Sequence, residues 1–181
     1  LRVFEDPQEG HFYIMTVDVS QGRGQDYSAF SIIDVSQKPF KQVVAYHNNK
    51  ISPLIFPNII VKTAKHFNNA LLIIENNGPG QIVCNSVYYD LEYDNTFVES
   101  ALKAGGVGVT TTKKVKSSGA SNLKDLVENS KIVLPDAETI VELSCFEAKG
   151  GSFQASKSQH DDLVMTLVLF AWFVSTDAYG E

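Results

Sequence analysis

The sequence predicts an α/β domain with a mixed sheet and helices on both of its faces. Three observations carry that expectation. Two runs rich in β-branched and aromatic residues, 12–19 and 29–35, flank a polar connection containing Gly22-Arg23-Gly24, which is a hairpin signal. A third such run, 42–46, follows the Lys38-Pro39 turn, so three short-linked strands form an antiparallel meander. Ala70-Leu-Leu-Ile-Ile-Glu75 is a short, continuous apolar run, which fits a strand covered on both sides in the middle of a sheet.

Taken in order, residues 1–10 are polar, contain Pro7 and read as a lead-in. Strands are predicted at 13–19, 29–35 and 42–46. Ser52-Pro53 looks like a helix cap followed by proline at the first helical position. The helix it opens runs to about residue 67, with Ile55, Ile59, Ile60, Thr63 and Phe67 near helical spacing. Asn76-Asn-Gly-Pro-Gly80 ends the fourth strand, 70–75, and 81–90 reads as a second helix. No element is assigned to 91–104. A Gly-containing approach leads into a fifth strand at 107–111. A basic loop then carries Lys113, Lys114 and Lys116, before a helix from about 121 to 129 capped by Ser or Asn. The remaining expectations are a strand at 132–135, a helix at 136–143 opening on an acid, a hairpin at 146–153 around Gly150-Gly151, and a final helix at 160–175. No repeat or interior linker divides the chain. A single domain spanning 1–181 follows, with sheet order 3-2-1-4-5.

At 181 residues the chain is long enough for a substantial core. Its longest apolar run, 163–174, is too short for a membrane span. Cys84 and Cys145 sit among apolar neighbours without metal-ligand spacing, which points to buried thiols in a reducing compartment. No signal peptide is visible, and the missing initiator Met suggests a domain of a longer protein. A net charge of −6 argues mildly against a nucleic-acid partner. That argument weakens if several acids hold divalent ions, which reverse the local sign.

The chemistry-bearing pattern is acidic. Asp18 interrupts an apolar strand, where an ionised carboxylate is costly unless a cation compensates it. Glu75 ends the apolar fourth strand, and Asp161 and Asp162 open the last helix. In the order 3-2-1-4-5 the first and fourth strands are neighbours, so Asp18 and Glu75 lie side by side with the last helix bringing a third carboxylate over them. Such oxygen donors suit Mg²⁺ or Mn²⁺, and two ions roughly 4 Å apart can clamp the attacking water and leaving oxygen of a phosphodiester. Each residue also has a purely structural role open to it. Asp18 can bond loop amides, Glu75 can begin a turn, and Asp161 and Asp162 can favour a helix N-terminus through its dipole. His160 can act in the same cap region. Lys113, Lys114, Lys116 and the nearby Lys124 are either a solvated surface or a set of phosphate contacts. The Gly22-Arg23-Gly24 loop lacks the Lys-Ser/Thr ending of a P-loop.

Met15-Thr-Val-Asp18-Val with Asp26-Tyr-Ser-Ala-Phe30, Leu72-Ile-Ile-Glu75-Asn-Asn-Gly-Pro-Gly80, Thr110-Thr-Thr-Lys-Lys-Val-Lys116 and His160-Asp-Asp-Leu-Val-Met-Thr-Leu167 together resemble the nuclease domain of a large terminase subunit, of the myovirus type. Such subunits are the DNA-packaging motors of tailed bacteriophages. The resemblance spans nearly the whole chain and implies a ribonuclease H-like fold. It also implies a metal-dependent endonuclease that cuts double-stranded viral DNA concatemers to start and end packaging. Asp18, Glu75 and Asp162 would be its catalytic metal ligands, with two Mg²⁺ or Mn²⁺ ions and Asp161 as a secondary ligand. The resemblance favours Asp162, because in the related resolvase pattern the ligand precedes a small residue by four, which matches Thr166. Lys113, Lys114, Lys116 and Lys124 would line the DNA groove. The implied partners are double-stranded DNA, an ATPase domain of the same polypeptide that is absent here, the portal and the small terminase subunit. The implied setting is the cytoplasm of the infected host, at the prohead portal and away from any membrane. A Holliday-junction resolvase, another ribonuclease H-like nuclease, a sugar-kinase-type fold and a non-catalytic docking module are the alternatives. The kinase-type fold needs two such domains where this chain supplies one.

Overall fold

The computed structural model describes residues 1–20, 27–99, 106–149, 152–155 and 160–180. The Gly22-Arg23-Gly24 and Gly150-Gly151 turns and Asp26 lie outside the described residues. β2 (Tyr13–Asp18), β3 (Ser28–Asp34) and β4 (Phe40–Asn48) form the antiparallel meander, and β5 (Leu71–Ile74) pairs with β2 in parallel. The sheet order β4-β3-β2-β5 reproduces the expected 3-2-1-4. The expected fifth strand is reduced to bridges beside β5, of which Glu75 to Val109 is parallel.

Two edge strands extend the sheet. β1 (Arg2–Val3) runs antiparallel to β4, and β6 (Ile132–Val133) runs parallel to it. The lead-in is therefore part of the sheet. Its anchor is remote in sequence: the Arg2 guanidinium donates to Asp136 at 2.7 and 3.0 Å.

The period-two alternation of the strands sorts their side chains into two layers. Met15 and Val17 of β2, with Leu72 and Ile74 of β5, pack against α1 (Phe56–His66) and α2 (Gly80–Asn85). Ile14 and Ile73 belong to the opposite layer, with α3 (Lys113–Glu128) and α5 (Asp162–Phe173). The same parity turns Asp18 and Glu75 toward the α3/α5 side. α5 is buried on almost every face, because it lies across the middle of the sheet.

Other boundaries differ from expectation. α1 begins at Phe56, because Ser52 closes a turn whose carbonyl accepts the N–H groups of Ile55 and Phe56. α2 continues into a π-helical turn, Ser86–Asp90. The expected basic loop is the first turn of α3, capped by Thr112, whose hydroxyl accepts the Val115 N–H at 3.2 Å. Ser117, Ser118 and Gly119 disguise this helix in sequence. Its amphipathic face, Val115, Gly119, Leu123 and Leu126, is buried, and tertiary packing outweighs the weak local propensity. A side chain at Gly119 would set its Cβ 2.4 Å from the Val168 carbonyl oxygen, so glycine permits the close crossing of α3 and α5. α4 (Ala137–Ser144) is capped by Asp136 as expected, and β7 (Phe146–Lys149) pairs with β8 (Ser152–Ala155) as the hairpin. Cys84 is buried, whereas Cys145 at the end of α4 is only half-buried.

A buried polar chain fixes how α5 and α4 sit on the sheet. Thr166 bonds Ser31 at 2.8 Å, Gln42 donates to Ser31 at 3.2 Å and to Thr139 at 3.3 Å, and Thr139 donates to Asp136 at 2.6 Å. All but the last of these residues are fully buried. Asp136 passes the chain on to Arg2, so five elements share one connected network.

Candidate active site

Asp18 is the last residue of β2, and Glu75 directly follows β5. The Glu75 N–H donates to the Val17 carbonyl at 2.9 Å, continuing the parallel register. The two carboxyl groups therefore meet at adjacent strand ends and share a hydrogen bond. The Asp18 carboxyl is held well above the usual carboxylate range. Burial is the main cause, followed by the Glu75 charge and the Glu75 hydrogen bond, then by Asp162 and Asp161 on α5.

Of the two α5 acids, Asp162 is the more buried and has the larger influence on Asp18. Its Oδ1 accepts the Tyr27 N–H at 3.3 Å, and its Oδ2 lies 3.7 Å from His160 Nδ1. His160 thus stands beside Asp162 at the mouth of the site, edge-on to the Tyr27 ring at 5.0 Å. The expectation of three carboxylates sharing one point is met only in part. Among the described residues no three His, Cys, Asp or Glu side chains form a ready-made ligand cluster. Asp18 and Glu75 touch, while Asp162 is turned toward the Tyr27 amide. The donor set is nonetheless all oxygen, and its mutual repulsion is what a hard divalent cation relieves.

Gly80 packs against the Glu75 backbone from the other side of the sheet. A Cβ there would lie 2.0 Å from the Glu75 carbonyl oxygen. Gly80→Ala is expected to push the Glu75 backbone out of register, lowering thermal stability by about 1–3 kcal/mol. Loss of Glu75 function should accompany that change, and a melting curve with a parallel activity assay checks both.

The residues after Glu75 position the basic helix end. Asn76 Oδ1 accepts the Thr110 hydroxyl at 3.0 Å, and Asn77 exchanges bonds with the Thr111 backbone at 2.8 and 3.1 Å. Lys113, Lys114 and Lys116 therefore open α3 close to Glu75, where their charges add to the positive end of the helix dipole. Lys124 is not part of that cluster. It lies about 16 Å further along α3 and pairs with Glu128 at 3.7 Å. Sequence reading took Asn76 and Asn77 for strand breakers only.

It also missed Glu142. This α4 side chain accepts the N–H groups of Leu163 and Val164 at 2.8 and 3.1 Å. Burial chiefly, with Asp162 and Asp161 adding to it, pushes its carboxyl up to about 7 against those two hydrogen bonds. A signal existed, since an acid in the last turn of a helix opposes the dipole.

A meander followed by a parallel strand, with acids at the adjoining strand ends and at the start of the crossing helix, defines the ribonuclease H-like class. Residues 15–172 match the terminase RNase H-like domain family, and the chain belongs to that family. It is 24% identical over 188 residues to the large terminase subunit of Thermus phage G20c, an alignment covering 98% of this chain and 35% of that protein. The chain therefore spans about a third of that relative. Two solved structures of the large terminase nuclease of thermophilic phage G20c, with bound cobalt and with bound magnesium, superpose at a TM-score of 0.75. Each is 22% identical and covers 94% of this chain and 85% of its own. The large terminase nuclease domain of Thermus phage P74-26 follows at 0.67, with 22% identity and coverage of 92% and 82%. These likenesses establish the fold. Among the described residues no helix is long and apolar enough to cross a membrane.

Proposed function

We propose that the chain is a divalent-metal-dependent endonuclease that cuts double-stranded viral DNA concatemers at the start and end of genome packaging. The observation that carries this reading is the Asp18–Glu75 contact at adjoining strand ends, with Asp162 and Asp161 near enough to raise Asp18 further. Asp18, Glu75 and Asp162 would hold Mg²⁺ or Mn²⁺, two ions in the active complex, with Asp161 secondary. Bound there, the ions would activate water and neutralise charge gathering on the scissile phosphate. The G20c nuclease has been solved with cobalt, magnesium and zinc, which supports a divalent site in the relative.

The chain's own residues would do the rest. Tyr27 N–H orients Asp162, and Asn76 and Asn77 hold the α3 end. Lys113, Lys114 and Lys116 would take the backbone of the duplex beside the acids, and Lys124 would take it about 16 Å further out along α3. In this reading the chain is the nuclease part of a packaging protein. It would work with an ATPase domain of the same polypeptide, the portal and the small terminase subunit, in the host cytoplasm at the prohead.

Supercoiled plasmid incubated with Mg²⁺, Mn²⁺ or EDTA tests the reading. Nicking and linearisation with either metal, abolished by EDTA, is expected; an intact plasmid under all three conditions would overturn it. The basic residues carry a separate expectation. Phosphate contacts release counterions, so Lys113→Ala with Lys116→Ala should flatten the slope of log affinity against log salt by about 2. Fluorescence anisotropy on a duplex measures it, and an unchanged slope would place the groove elsewhere.

A further inference from the structure

We infer that Glu142 is a positioning residue for the acidic centre: reaching across from α4, it fixes the first turn of α5 and with it the direction of Asp162. The inference rests on the nuclease reading and adds a residue to it. A helix N-terminus leaves four N–H groups without partners, and the residue before the helix ordinarily supplies an oxygen for them. Here that residue is Asp161, and its side chain makes no capping bond to its own helix. Leu163 and Val164 instead donate to a single oxygen, Glu142 Oε2, from an element some twenty residues earlier.

Three features make this more than an ordinary cap. Glu142 stands near the C-terminus of α4, where its charge opposes that helix's own dipole, so local structure does not favour it there. The element that carries it is held rigidly. Asp136 caps α4 through Thr139, and the pair connects to Gln42 in the sheet and to Arg2. Its two donors also follow Asp162 directly, so any rotation of the peptide at Leu163 swings the Asp162 carboxylate. Tyr27 N–H, just before β3, holds that carboxylate and Glu142 holds its backbone from α4, which leaves Asp162 fixed from two sides. Capping by Glu142 also leaves the Asp161 side chain outside the capping role and close enough to bear on Asp18.

Two variants separate positioning from charge. Glu142→Gln keeps an oxygen at the same reach and removes the charge. Glu142→Asp keeps the charge and is one methylene too short to reach both donors. Mn²⁺ titration by calorimetry, amide exchange at Leu163 and Val164, and plasmid cleavage are read on each. Glu142→Gln should stay within about threefold of the unaltered protein, whereas Glu142→Asp should lose about tenfold or more in Mn²⁺ affinity and cleavage rate, with faster exchange at both amides. Glu142→Gln impaired as much as Glu142→Asp, or more, would overturn the inference, because the charge itself would then matter. So would a Glu142→Asp variant with unaltered exchange and metal affinity. If the unaltered protein binds no Mn²⁺ and cuts no DNA, the nuclease reading fails, while the amide exchange of the two variants still decides whether Glu142 holds α5.

Discussion

Asp18→Asn, Glu75→Gln and Asp162→Asn are each expected to reduce plasmid cleavage by roughly 10³-fold or more. Each substitution keeps the size of the side chain and removes the charge that would hold a divalent ion. Asp18 and Glu75 are already in contact, so neither can be spared without exposing the other as a lone donor. Folding should not suffer. Asp18 is held above the ordinary carboxylate range by burial and by the charges of Glu75, Asp162 and Asp161, so a permanently neutral Asn removes repulsion. Melting temperatures without metal should therefore hold or rise. Asp161→Asn should be milder, because Asp161 lies just before the helix, is less buried than Asp162 and bears less on Asp18. A dead Asp161→Asn beside a fully active Asp162→Asn would reverse the assignment within the pair. Full activity in all four variants would remove the acidic centre from the chemistry.

Divalent metal is expected to raise stability by about 2.7 kcal/mol at a hundredfold excess over its dissociation constant, and at a fixed metal concentration the rise is expected to be larger at higher pH. The sign follows from linkage. Asp18 and Glu142 bind protons more tightly in the folded chain than in the unfolded one, and burial is the first cause for both. Between the unfolded carboxylate range and about 7, to which the folded chain raises Glu142, the folded state therefore holds more protons, and metal-free stability falls as pH rises. Asp136 and Asp34 act in the opposite direction. Burial raises both, but the Arg2 and Thr139 bonds hold Asp136 below its usual range, and His11 and Ser36 do the same for Asp34. Their contribution is present above the unfolded carboxylate range and lost below it, which sets an acid limit. Metal competes with protons for the Asp18 oxygens, so its stabilising effect at a fixed concentration should grow from pH 5 to pH 8. Thermal melts with and without Mn²⁺ at the two pH values measure this, and an equal shift at both would detach metal binding from these carboxylates.

The placement of Asp18 and Glu75 was legible because it depends on local rules. Strand periodicity fixes which way each points, and the sequence pattern of meander then apolar strand makes their strands neighbours. α3 was only half legible, since Ser117, Ser118 and Gly119 make it look like a loop, and Gly119 is required by the close approach to Val168 of α5. The partners of Arg2 and Glu142 were illegible for a different reason. They are Asp136 and the amides of Leu163 and Val164, and no pattern within a window of sequence contains both members of such a pair. The partial separation of Asp162 from Asp18 and Glu75 belongs to the same class, because the Tyr27 amide that holds Asp162 lies far from it in the sequence.

A crystal soaked in Mn²⁺ and measured at the manganese absorption edge tests the central claim most directly. Anomalous density bridging the Asp18 and Glu75 carboxylates, with Asp162 or Asp161 drawn to the same ion, is the expected result. Anomalous density elsewhere on the protein with none between Asp18 and Glu75, or none at all at saturating Mn²⁺, would contradict it.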